Sequence, residues 1–151
     1  MIKVREGTAN DVLAMLNLIK ELALYEKAPE QVINTEEEML KNGFGEYPLF
    51  KSFIAEKENK IIGTAICYTA YSTWKGKYIY LDDIVVTETE RNTGAGRLLF
   101  DAVLNHARIT GANQLRWHVL NWNEPAINFY KKYSCSFDEE WITCKIEKEN
   151  I

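Results

Sequence analysis

Ile84-Val85-Val86-Thr87-Glu88-Thr89-Glu90-Arg91-Asn92-Thr93-Gly94-Ala95-Gly96-Arg97-Leu98-Leu99 is the stretch whose reading decides the fold. An apolar run enters a polar turn containing two glycines and leaves as the helical pattern Leu98-Leu99-Phe100-Asp101-Ala102-Val103. The spacing predicts a strand, a tight turn and a helix. Glycine at 94 and 96 lets the backbone approach a ligand closely with several N–H groups pointing one way, and the helix start adds its positive end. Such a turn suits phosphate. A glycine pair before a helix also occurs in plain turns, so the ligand has to be argued from the chain around it.

Working toward the N-terminus, Tyr78-Ile79-Tyr80-Leu81 and Ile84-Val85-Val86 read as one apolar strand interrupted by Asp82-Asp83. Two acids inside such a strand are costly unless one or both face a polar cleft, and alternation sends one of them to solvent. The turn Trp74-Lys75-Gly76-Lys77 separates this strand from another over Ile61 to Tyr71. The turn Glu58-Asn59-Lys60 separates that one from a strand beginning near Phe50, where Phe53 and Ala55 alternate with Ile54 and Glu56. Antiparallel hairpins are the natural consequence. Earlier still, Ile2 and Val4 suggest a short strand, and Thr8-Ala9-Asn10-Asp11 has capping-box spacing. Val12, Met15, Leu16, Ile19, Leu22 and Ala23 then form the buried face of a helix ending near Tyr25, with Lys20 and Glu21 facing water. Thr35-Glu36-Glu37-Glu38-Met39-Leu40 predicts a second, short helix with acids in its first turn.

Toward the C-terminus, the helix after Gly96 should bury Leu98, Leu99, Ala102, Val103 and His106 and stop near Thr110-Gly111. A strand over Gln114 to Leu120, a short helix from Ala126 to Tyr133 and a closing strand over Trp141 to Ile146 follow. The order is strand, two helices, three strands, helix, strand, helix, strand. It implies a mixed α/β (α+β) fold with a mainly antiparallel central sheet flanked by helices, in one domain covering residues 1–151.

With 151 residues and 46% hydrophobic content, the chain is long enough for a single real core. No apolar run is long enough to span a bilayer and the first residues do not resemble a signal peptide, so a cytoplasmic protein is expected. The three cysteines, Cys67, Cys135 and Cys144, are widely spaced among apolar or aromatic neighbours and suggest neither disulfides nor a metal site. A net charge of −4 argues against nucleic acid as a partner and mildly favours a cationic one. His106 and His118 have no ligand-spaced companions and are read as structural.

The order of elements together with Arg91-x-x-Gly94-x-Gly96 resembles the GNAT superfamily of acyl-CoA-dependent N-acetyltransferases. More narrowly, four stretches resemble the spermidine/spermine (diamine) acetyltransferase family: Leu18-Ile19-Lys20-Glu21-Leu22-Ala23-x-Tyr25-Glu26, Gly43-Phe44-Gly45-Glu46, Tyr80-Leu81-Asp82-Asp83, and Trp122-Asn123-Glu124-Pro125-Ala126-Ile127-Asn128-Phe129-Tyr130-Lys131. The likeness covers nearly the whole chain. It implies acetyl-CoA as donor without a metal, a primary amine of a small diamine or polyamine as acceptor, direct transfer, and a homodimer.

On that resemblance, the backbone of Asn92, Thr93, Gly94, Ala95, Gly96 and Arg97 would bind pyrophosphate, with the Arg91 side chain shaping the entrance. Ile84, Val85 and Val86 would hydrogen-bond the pantetheine arm and offer an N–H to the carbonyl oxygen as it gains negative charge, the kind of donor worth about 3–4 kcal/mol. Asn123, Glu124, Pro125 and Ala126 would approach the same arm, although helix capping also explains Asn123. Tyr130 matches the family's general acid, a phenol that ordinarily titrates near 10 and can donate at neutral pH; on periodicity alone it is a buried helix aromatic. Asp82 falls where the family has a glutamate base. Its side chain is one methylene shorter, which leaves an extra water, a shifted substrate or simple cation binding open. Tyr25 and Glu26 match acceptor-contacting positions and Glu139 or Glu140 lies near another; a solvated helix end accounts for Glu26 equally well, and a surface loop accounts better for Glu139 and Glu140. Ser134 stands where the family has glycine after the tyrosine, so that helix must end differently. Two other functions fit: acetylation of thialysine or another lysine-like amino acid, and a CoA-binding regulatory module without catalysis.

Overall fold

A computed structural model describes residues 1–151. The chain divides into two compact units, Met1–His118 and Val119–Ile151. The first contains β1 (Ile2–Glu6), α1 (Val12–Tyr25), α2 (Glu36–Phe44), β2 (Lys51–Lys57), β3 (Lys60–Ser72), β4 (Gly76–Val86), α3 (Ala95–Ile109) and β5 (Leu115–Arg116). The second contains one α-helix, α4 (Glu124–Tyr130).

The five strands lie in sequence order, β1-β2-β3-β4-β5, antiparallel except for the β4–β5 pair. The mixed, mainly antiparallel sheet expected from the sequence is present. The residues Ser52 to Ala55 of β2 are buried on both sides, and alternation separates them between two layers. Ile54 and Ile66 pack with Val12, Met15 and Leu16 of α1 and Met39 of α2. Phe53 points to the other layer, where its ring meets His106 of α3 at 6.0 Å. That contact supports a packing role for His106.

Gly63 sits where α3 crosses the sheet. A Cβ there would lie 2.8 Å from the Val85 carbonyl oxygen and 3.1 Å from a Leu99 methyl, so the missing side chain permits the close approach of helix and strand.

The start of α1 follows the sequence signal. A 3₁₀ turn at Ala9–Asp11 precedes the helix, and the Asp11 carboxylate accepts from the Thr8 N–H at 2.7 Å. The same carboxylate takes two hydrogen bonds from the Arg5 guanidinium at 2.7 and 2.9 Å, and Arg5 also reaches Glu56. This network joins β1, β2 and the helix start.

Several expected details are corrected. Glu21 does not face water; it is half-buried and bonded to the β4 exit, as described below. Leu98 is 42% exposed, while Phe100 and Ala107 take buried positions, because the apolar face of α3 is rotated from the one assumed. The strand expected over 114–120 is only Leu115–Arg116. Beyond it Trp117 packs edge-on against Phe100 at 5.2 Å and His118 hydrogen-bonds the Tyr80 hydroxyl, so side-chain contacts replace the ladder.

The helix expected to reach Tyr133 ends at Tyr130 and tightens into i→i+3 turns through Lys132 and Tyr133. Ser134 is not among the residues with positive φ, so the helix stops without the left-handed residue that glycine would favour. The closing strand over 141–146 is absent, and those residues are exposed. Alternation names a face but supplies no partner, and a strand exists only through a ladder with another segment.

Candidate active site

β4 is flanked unequally. β3 pairs with it from Gly76 to Val86, but β5 pairs only Ile79 with Leu115 and Tyr80 with Arg116. From Leu81 onward the other edge of β4 has no strand beside it. Just past the last parallel pair the register slips: Leu81 faces Cys67 and Asp83 faces Ile66, so Asp82 is the extra residue of a bulge. A bulge bends its strand and re-aims side chains. Here it leaves Leu81 buried, Asp82 exposed and Asp83 half-buried.

The two adjacent acids therefore have different surroundings. The Asp83 carboxyl is pushed up to about 7, first by burial, then by the neighbouring charges of Asp82 and Glu26 and by a hydrogen bond shared with Asp82. Glu26, at the end of α1, is itself raised by burial. Tyr80 is pushed up to about 12, mainly by burial and then by the Asp82 charge. Carboxylates from β4 and α1 thus converge on one region, where the charges of Asp82 and Glu26 disfavour ionisation of Asp83 and favour a cation.

Downstream, a 3₁₀ turn at Glu88–Glu90 leads into the glycine turn. Glu21 of α1 fixes this exit: its carboxylate accepts from the Thr87 hydroxyl at 3.0 and 3.1 Å and from the Glu88 N–H at 2.8 Å. The Arg91 guanidinium lies over the Tyr25 ring at 5.0 Å and donates to the Val86 carbonyl at 3.4 Å. The Thr93 hydroxyl donates to the Glu90 carbonyl at 2.6 Å. Asn92 (φ 63°) and Gly94 (φ 93°) both adopt left-handed conformations. Alternation of backbone sense in such a turn makes successive N–H groups converge.

The helix begins at Ala95, and the Leu98 N–H is the one that bonds back to the Gly94 carbonyl at 3.1 Å. The amides of Ala95, Gly96 and Arg97 precede it and have no acceptor in the helix. The turn is exposed, and a Cβ on Gly94 would meet nothing within 4 Å. An anion has room here.

In the second unit, Asn123 caps α4, its side chain accepting from the Ala126 N–H at 3.4 Å, and Pro125 occupies the first turn. Tyr130, in the last turn, is 6% exposed, with the Phe129 ring centroid 5.4 Å from its own. Glu140 is exposed, and its N–H donates to the Asp138 carboxylate at 3.0 Å. In the first unit Trp74, at the β3–β4 turn, is 82% exposed.

Two contributors had no signal in the sequence: Glu21, whose role depends on where α1 meets β4, and the Arg91–Tyr25 stack. Asp83 was visible as half of an unusual acidic pair, but its difference from Asp82 comes from the bulge.

An open strand edge, an exposed turn at a helix start with room for an anion, and clustered carboxylates lie along β4 and its exit. The Acetyltransferase (GNAT) family profile matches residues 14–134. A mouse thialysine N-epsilon-acetyltransferase is 34% identical, with 97% of this chain and 93% of the relative covered. The human spermidine/spermine N(1)-acetyltransferase-like protein 1 is 31% identical over 99% of this chain and 23% of that longer protein. A solved structure of a predicted acetyltransferase with acetyl-CoA from Clostridium acetobutylicum superposes with a TM-score of 0.74 at 22% identity, covering 96% of each chain. The chain belongs to the GNAT acetyltransferase family and is an enzyme that transfers acetyl groups to amines.

Proposed function

We propose that residues 1–151 work as one domain that moves the acetyl group of acetyl-CoA to a primary amine of a small diamine or polyamine by direct attack. The observation that carries this is the course of β4: carboxylates at its bend, an unpaired edge beyond them, and the open turn at Gly94.

The residues present fit the donor. The amides of Asn92 to Arg97 would hold the pyrophosphate, and a positive φ with open space at Gly94 suits close backbone approach. The free edge from Ile84 to Val86 would pair with the amide groups of the pantetheine arm as it would with another strand. One N–H on that edge would meet the thioester oxygen. Asn123, Glu124, Pro125 and Ala126 would lie along the same arm. Bound in this way, acetyl-CoA supplies an activated acetyl group.

At the acceptor, Tyr25, Glu26, Asp82 and Glu140 would hold ammonium groups by charge, and Tyr130 would give a proton to the leaving sulfur. The family match from residue 14 to residue 134 runs through both compact units, which supports treating them as one catalytic domain. A homodimer and a cytoplasmic location complete the proposal.

A second acceptor, a lysine-like amino acid, is favoured by the thialysine acetyltransferases of mouse, cattle and pig at 34–38% identity. One experiment tests both. Coenzyme A release is followed with spermidine, shorter diamines, thialysine and lysine, for the wild type and for Tyr130→Phe. Turnover on the diamines, lowered about a hundredfold or more in Tyr130→Phe with acetyl-CoA affinity retained, is expected. Turnover confined to the amino acids would replace the acceptor, and unchanged turnover in Tyr130→Phe would remove that residue from the chemistry.

A further inference from the structure

We propose that Asp83, and not the more exposed Asp82 beside it, is the carboxylate that takes the proton from the acceptor's ammonium group, while Asp82 and Glu26 hold the cation in place. The assignment rests on the amine-acetylating function above and deepens it by naming the proton acceptor.

Geometry separates the two neighbours. Asp82 is the bulged residue, left without a partner in the register between β3 and β4, and its side chain is exposed. Asp83 returns to register opposite Ile66 and is half-buried, within hydrogen-bonding reach of Asp82 and under the influence of Glu26 from the end of α1. Tyr80 on β4 also faces this group, backed by Tyr68 of β3 at 5.3 Å between ring centroids and by His118 on the Tyr80 hydroxyl. Of these groups, Asp82 and Glu26 act directly on Asp83, and both are acids.

Chemistry needs this difference. An alkylammonium titrates near 10.4 and an ordinary aspartate near 3.9, a mismatch of roughly six pH units. A carboxylate raised to about 7 narrows that mismatch and makes proton transfer from the ammonium group less unfavourable. The exposed carboxylate of Asp82 is well placed to attract the incoming cation.

In the step itself, the ammonium N–H bond breaks and its proton passes to the Asp83 carboxylate. The nitrogen lone pair forms the C–N bond to the acetyl carbon, and the C–S bond breaks with its electron pair on sulfur. Nitrogen loses its second proton, sulfur gains one, and one proton is released overall. An amide and a thiol are the products.

The test combines pH profiles of kcat/KM for the acceptor with carboxyl titration of the free protein by ¹³C NMR, using wild type, Asp83→Asn, Asp83→Glu and Asp82→Asn. Wild type should show an acidic limb and a carboxyl titrating near pH 7. Asp83→Asn should lose that carboxyl, lose the limb and turn over about a hundredfold more slowly or worse. Asp83→Glu should recover part of the rate together with the limb, which also guards against a variant that merely fails to fold. Asp82→Asn should raise KM and move both the limb and the carboxyl signal to lower pH, because a neighbouring negative charge has gone. If Asp83→Asn keeps the limb, or Asp82→Asn alone abolishes it, the assignment is wrong while the acetyltransferase function stands. If wild type acetylates no amine in the panel, both fail together.

Discussion

The two halves of β4 share a backbone and a partner strand, yet differ in what lies on their other side. From Gly76 to Tyr80 the strand ends between two neighbours, with Ile79 wholly buried. From Leu81 to Val86 it has one neighbour, a bulge and two acids. The first half is complete as protein structure. The second half has no strand along its other edge, where the Arg91 guanidinium reaches the Val86 carbonyl instead. Substitutions in the closed half should therefore register as lost stability, and substitutions along the open half and its turn as lost binding or chemistry.

The largest effect expected from this contrast is at the end of the open half. Gly94→Asp combines a side chain at φ 93° with a negative charge in the turn proposed to hold the pyrophosphate, and should weaken acetyl-CoA binding by about a hundredfold or more, read by calorimetry. Unaltered affinity would dissolve the distinction between the halves. Ile79→Ala should lower unfolding free energy by about 3 kcal/mol in denaturant titration while acetyl-CoA affinity stays within about threefold. A large affinity loss there would show that the closed half also shapes the site.

The smallest expected effect sharpens the contrast through pH. Arg5 hydrogen bonds, with help from Thr8, hold Asp11 down to about 2. A free aspartate titrates near 4. The stabilisation is thus fully present above pH 4 and fades as pH falls toward 2. Asp11→Asn should cost about 1–2 kcal/mol at neutral pH, a modest figure because the Arg5 side chain is 38% exposed, and should flatten the acid end of a melting-temperature profile. Acid sensitivity at Asp11 belongs to folding, whereas titration near 7 at Asp83 belongs to the reaction proposed for it.

Local signals carried much of this molecule in the sequence. Capping at Thr8 and Thr35, the helical periods of α1 and α3, the hairpin turns and the glycines at 94 and 96 all act within a few residues, and each appears in the fold. Signals that depend on a distant partner were weaker. The segment 141–146 alternates as a strand would but has no ladder, and 114–120 pairs at two residues because side-chain contacts of Trp117 and His118 take over. The site divides in the same way. Its turn and its acidic pair were visible in order of residues, but the inequality of Asp82 and Asp83 arises from a one-residue slip against β3, and the grip of Glu21 on Thr87 and Glu88 from the packing of α1. No spacing rule within the chain encodes either.

Gly63 gives the open half a hidden dependence. It touches the back of β4 at Val85 and the flank of α3 at Leu99, so any side chain there must move the strand edge or the helix that begins in the cradle. In a mutational survey scored by growth or turnover, this position would rank with residues that contact substrate. Geometry transmitted through a missing methyl group would be mistaken for chemistry, unless abundance and activity were measured separately.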